Sequence, residues 1–232
     1  MPKPRPPQTV WFRDEQRPRK PRLSQERIIQ AAIELLDAEG VDGFSMRRLA
    51  ARLDAGTMSL YAYVAAKEDV LDLALDAVMA EIEVEGTADA PWRAILTRQL
   101  VESRQVMRRH PWIPGLIGTR PLLGPTALAR SELFYTALTR AGLDGPRLIA
   151  AVGALTFYVN GYVAAENVWR SWVGDPSQEA ELRRQVQEHI AKHADLYPTL
   201  SQHAQLDNAD FDGGFALGLK IILDGIEAQL VE

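Results

Sequence analysis

The chain contains no cysteine. Disulfides, thiolate zinc sites and cysteine nucleophiles are therefore excluded, and the composition fits a reducing cytoplasm. Histidine is scarce: His110, His189, His193 and His203 are the full set, so imidazole chemistry has few candidates. Unbroken apolar runs fall far short of the roughly 18 residues a spanning helix needs, which predicts no membrane partner. The opening residues lack the apolar stretch of a secretory signal, which argues against export by that route. Strand-like alternation is missing as well, and this argues against a sheet.

What is present is charge, unevenly placed. Across 232 residues the net charge is −5, which argues against a general nucleic-acid binder. Residues 1–22, however, hold seven Lys or Arg against two acids, whereas residues 71–232 hold 14 basic and 21 acidic residues. A basic front on an acidic body points to a front end that meets an anion. A solvated leader without a partner would have the same composition. Residues 1–22 also carry six prolines, which lack the N–H a helix needs, so an extended or disordered arm is expected there.

From Leu23 onward apolar residues recur at three- and four-residue spacing. A first helix is predicted from the N-cap Ser24, with a buried stripe of Ile28, Ala31, Ala32, Leu35 and Leu36, ending at Gly40. A second runs from Ser45 to about Leu53, and a tight turn follows at Asp54-Ala55-Gly56. A third, very short helix covers Thr57 to about Val64, and a fourth begins near Lys67. Further helices are expected at about 91–109, 125–141, 146–172, 177–193 and 208–230, with 194–207 ambiguous. The fold class is all-α, with an arm over 1–22, a helix-turn-helix unit over 23–76 and a larger helical domain over 77–232.

Two short helices joined by a tight turn suit insertion into a DNA groove. Thr57 and Ser59 are small and can hydrogen-bond to base edges or phosphate, while Leu60 and Val64 anchor the helix at i, i+4. Tyr61 and Tyr63 carry hydroxyls, Arg47 and Arg48 open the preceding helix, and Lys67 follows the reading helix. Taken singly, the tyrosines also suit half-buried packing and the arginines suit a solvated surface. Their conjunction within 67 residues favours DNA.

The segments SMRRLAARL (45–53), TMSLYAYV (57–64) and KEDVLDLALD (67–76) strongly resemble the DNA-binding domain of TetR-family transcriptional regulators. The resemblance implies a three-helix DNA-binding domain, an all-helical ligand-binding and dimerisation domain, and release from a palindromic operator when a small-molecule effector binds. The family's DNA contacts fall on Arg47, Thr57, Ser59, Tyr61, Tyr63 and Lys67. Two positions depart from the family pattern. Asp54 stands where the turn usually has glycine, and aspartate tolerates left-handed geometry better than most residues. Ala62 follows Tyr61 where an aromatic sometimes stands, so base preference does not carry over. With this in view, Arg17, Arg19, Lys20 and Arg22 of the arm become candidates for the minor groove.

Residues 77–232 resemble, more loosely, the tetracycline-repressor-like C-terminal domain, through helix order and FALGLKIILDGIEAQL (215–230). That resemblance implies a homodimer formed through helices at about 146–172 and 208–230. Met107, Trp112, Phe134, Phe157, Tyr158, Asn160 and Trp169 are the candidate lining of an effector pocket, although each singly also suits an ordinary core. No cofactor and no metal are expected; His189 and His193 form an i, i+4 pair without an evident third ligand. Competing readings are an all-helical enzyme using His110 or Glu166, and a helical adaptor whose front domain binds protein. The sequence shows neither a nucleophile paired with a base nor a phosphate loop, so an enzyme is not expected.

Overall fold

A computed structural model describes residues 23–83, 90–204 and 210–230. Among these residues there are eleven α-helices, one short 3-10 turn and no strand, in agreement with the all-α expectation. The front end consists of α1 (Gln25–Gly43), α2 (Met46–Arg52), α3 (Thr57–Leu60) and α4 (Lys67–Met79). Its boundaries follow local chemistry. The Ser24 hydroxyl accepts from the Arg27 N–H at 3.3 Å, and Ser45 does the same for Arg48. Gly40 sits at φ 67°, where the regular part of α1 ends. The stripe from Ile28 to Leu36 is buried as the spacing requires.

The larger body holds α5 (Trp92–Arg109), α6 (Ile113–Ile117), α7 (Pro125–Arg140), α8 (Gly145–Val173), α9 (Glu179–Ala191), α10 (Pro198–His203) and α11 (Phe211–Ala228). One hydrophobic core runs without interruption from α1 through α4 into α5–α8 and α11. The helix α4 joins the two regions: it packs on α1 as well as on α5 and α7, with Val70 and Leu75 buried in the shared core. The carboxylate of Asp76 on α4 accepts from the Thr126 and Ala127 N–H groups at 3.3 and 3.0 Å, capping the start of α7. Gly124 makes this possible, since a Cβ there would lie 2.2 Å from the Asp76 carboxylate.

Three features differ from expectation. The segment between the helices expected at about 91–109 and 125–141, where no helix is expected, contains α6. Proline is tolerated there because the first turn of a helix has no intrahelical use for its N–H. The ambiguous stretch contains α10, also opened by a proline. Finally, α8 is long and apolar enough to cross a membrane by length and composition, which a search for unbroken apolar runs does not register. Its one buried charge, Glu166, is met by Arg104 at 3.0 Å, Arg170 at 2.6 Å and Arg108 at 3.4 Å.

Candidate nucleic-acid interface and effector cavity

The turn between α2 and α3 is a Schellman closure: Ala55 N–H bonds the Ala50 carbonyl at 2.9 Å, and Asp54 N–H bonds that of Ala51 at 3.2 Å. Asp54 takes the left-handed conformation, φ 49°, at the place where glycine is usual. The turn therefore survives the substitution. It delivers α3 to the surface with Leu60 and Val64 buried beneath it. Thr57 is half-buried, while Met58, Ser59, Tyr61 and Tyr63 are exposed, Met58 to 80%. The helix is shorter than expected. After Leu60 the chain tightens through an i, i+3 bond from Tyr63 N–H to the Leu60 carbonyl, 2.9 Å, so 61–63 form a turn.

The flanking residues divide into two groups. Arg47 is exposed. Arg48 is not a free phosphate grip: its guanidinium pairs with Glu39 and donates to the Gly43 carbonyl at 3.0 Å, bracing the α1–α2 corner. Tyr63 donates its hydroxyl to the Leu23 carbonyl at 2.9 Å, which holds residue 23 beside α3. Lys67 opens α4 with its ammonium 5.6 Å from the centre of the Phe44 ring. Asp69 accepts from the Ala65 and Ala66 N–H groups at 2.7 and 3.1 Å, fixing that corner. Arg19, Lys20 and Arg22 lie outside the described residues.

The larger body contains a partly open cavity of about 100 Å³ between α4, α5, α6, α7 and α8. Three of the expected residues line it: Met107, Phe134 and Asn160. Four do not. The Trp112 indole N–H donates to Asp37 on α1 at 2.7 Å. Phe157 points outward and is 77% exposed. Tyr158 donates its hydroxyl to the Phe215 carbonyl on α11 at 2.8 Å, in space left by Gly218. Trp169 donates to Glu179 at 3.0 Å and lies under the Arg183 guanidinium. Their residue types suggested a pocket wall, but their polar ends are committed between helices or their rings face outward.

Sequence reasoning missed the polar half of the cavity: Ser103, Arg130, Ser131 and Thr156. The available signal was the spacing of Ala127, Arg130, Ser131 and Phe134, which places an arginine on the inward face of α7. Below the cavity, His110 sits between two carboxylates, with Nδ1 2.7 Å from Asp37 and Nε2 3.1 Å from Glu81. Asp37 on α1 thus receives both His110 and Trp112 from the α5–α6 corner. Glu166, the other candidate acid, belongs to the separate arginine cluster.

An exposed short helix behind a tight turn, joined through one core to a helical body with a small apolar cavity between its helices, defines a helix-turn-helix protein with a second helical domain. The family described as bacterial regulatory proteins, tetR family, matches residues 28–74, and the tetracyclin repressor-like C-terminal domain matches residues 86–230. The chain belongs to the TetR family of transcriptional regulators. It is 44% identical over 224 residues to an HTH-type transcriptional regulator of Saccharopolyspora erythraea, covering 96% of this chain and 92% of that one. It is 36% identical over 226 residues to the HTH-type transcriptional repressor DrrR1 of Streptomyces coeruleorubidus, covering 92% and 80%. Its structure is similar to ActR of Streptomyces coelicolor in complex with actinorhodin, with TM-score 0.80 and 29% identity, over 91% of this chain and 100% of that one.

Proposed function

We propose that this regulator is a homodimeric repressor that holds a palindromic operator through its two α3 helices and releases it when a small organic effector occupies the cavity. The observation that carries this reading is the connection between the two sites. Ile117 of α6 lines the cavity, and at the other side of the same corner Trp112 and His110 bond Asp37 of α1. A cavity of about 100 Å³ is smaller than the roughly 300–1,000 Å³ typical of ligand sites, so a drug-sized guest must displace its walls. A guest that favours the displaced arrangement shifts the population toward it, and α1 moves with α6. The operator affinity then falls by the guest's differential affinity for the two states.

Thr57, Ser59 and Arg47 are assigned to base edges and phosphate, with Tyr61 and Lys67 on phosphate. Tyr63 is assigned to the junction at Leu23, from which the basic arm of residues 1–22 leaves beside α3 and can follow the duplex. Dimerisation through α8 and α11 is supported by the apolar surface they leave open: Phe157, Val168 and Trp172 on α8, with Leu217 and Ile221 on α11. Such a protein acts in the cytoplasm and catalyses nothing.

Selection from a random duplex pool tests the reading. The intact chain should enrich two inverted half-sites about one helical turn apart. No enrichment, or enrichment of the same site by a Ser59→Ala and Tyr61→Ala double variant, would overturn it. Deleting residues 1–22 should lower the slope of log K against log salt.

A further inference from the structure

The cavity wall contains an arginine, Arg130, that no carboxylate among the described residues meets in an ion pair. Arg130 donates Nη2 to the Ser103 hydroxyl at 2.6 Å and Nη1 to the Met79 sulfur at 3.2 Å. Its Nε is shielded from solvent and has no acceptor among the described residues. The acid whose charge acts on it, Glu102, accepts from Arg98 at 2.8 Å through one oxygen, while its other oxygen is buried without a hydrogen bond among the described residues. Burial pushes the Arg130 guanidinium down to about 10, so it remains a cation at neutral pH. Ser103 in turn donates to the Gln99 carbonyl at 2.5 Å, which fixes the hydroxyl that holds the guanidinium.

A second polar group in the same wall is also unused. The Asn160 Oδ1 is buried with no partner among the described residues. A buried polar group without a partner is destabilising, so two of them around one cavity mark a place completed by a guest. The remaining lining, including Leu100, Met107, Phe134 and Val159, is apolar and offers a ring system its packing surface.

We propose that the effector is an organic anion, an apolar ring system bearing a carboxylate or phenolate that the Arg130 guanidinium receives, with a hydrogen-bonding substituent at Asn160. The proposal rests on the reading of the cavity as the effector seat. A guanidinium presents its N–H donors in a fork that matches a carboxylate, and the bond is strongest in a site shielded from water.

Calorimetry on the full-length protein at neutral pH tests it with matched probes: benzoate, 2-naphthoate and anthraquinone-2-carboxylate, each beside its carboxamide. At least one acid should bind about tenfold or more tightly than its amide. In Arg130→Gln the acid should fall to within about twofold of the amide, while amide binding holds. Arg130→Lys, which keeps the charge, should retain part of the preference, and melting without probe checks that each variant folds. A panel in which no acid outbinds its amide, whether both bind alike or neither binds, overturns the proposal. So does a preference that survives Arg130→Gln. Thr156→Trp at the cavity wall separates the two levels. Equal binding of acid and amide that Thr156→Trp abolishes removes the anion alone; binding that Thr156→Trp leaves untouched removes the cavity as the effector seat.

Discussion

The front end and the larger body treat charge in opposite ways. Around α2 and α3 the arginines stay at the surface: Arg47 is exposed, Arg48 pairs with Glu39, and Arg52 pairs with Glu34 at 2.8 Å. In the body charge is taken inside. Glu166 has no exposed surface and is held by Arg104, Arg108 and Arg170, while the exposed Asp212 meets the buried Arg104 from outside at 2.7 Å. Removing a surface charge should change what the protein attracts and leave its stability nearly intact. Removing an interior charge should strip support from the fold itself.

The largest expected effect is at the interior cluster. Glu166→Gln leaves three guanidinium groups short of one carboxylate charge and should cost about 3–5 kcal/mol in denaturant unfolding. A loss comparable to that of a surface pair would break the contrast. Next is Leu60→Ala, which empties the anchor beneath α3 and should cost about 2–5 kcal/mol, with operator binding lost alongside.

At the corner between the regions, Asp37→Ala removes the acceptor of His110 and Trp112. It should cost about 1–3 kcal/mol and, more tellingly, separate effector binding from operator release in a paired calorimetry and anisotropy measurement. Lys67→Ala should change stability by no more than about 0.5 kcal/mol, yet lower the salt slope of operator binding by about one.

The smallest effect concerns acid. Asp212 is held below the ordinary carboxylate range by the hydrogen bond and charge of Arg104. Its contribution is present above the ordinary value, near 4, and disappears as pH falls through the lower folded-state value. Asp212→Asn should therefore make the acid limb of the stability profile slightly shallower and leave the neutral and alkaline limbs unchanged in shape.

Legibility in the sequence followed the range of the interactions. The reading head is made by neighbours: Ser24 and Ser45 cap within three residues, Asp54 closes its own turn, and Leu60 and Val64 sit one helical turn apart. Such features can be read along the chain. The cavity draws Met107, Phe134 and Asn160 from three different helices, and nothing local distinguishes them from Tyr158 or Trp169, whose polar ends bond neighbouring helices. Arg130 was hidden because an arginine on a helix ordinarily faces water. Arg48 shows the converse. Its position at the head of α2 suits phosphate, but Glu39 and the Gly43 carbonyl, supplied by α1, hold it.

The absence of cysteine makes the decisive measurement simple. Met58→Cys places a single spin label per subunit on the exposed face of α3, and pulsed dipolar spectroscopy on the operator complex reads the separation of the two copies. One narrow distance near the roughly 35 Å of a DNA turn is expected, becoming longer or broader when an effector fills the cavity. No dipolar coupling, or a distance indifferent to DNA and to the occupied cavity alike, would contradict a paired reading head controlled from within.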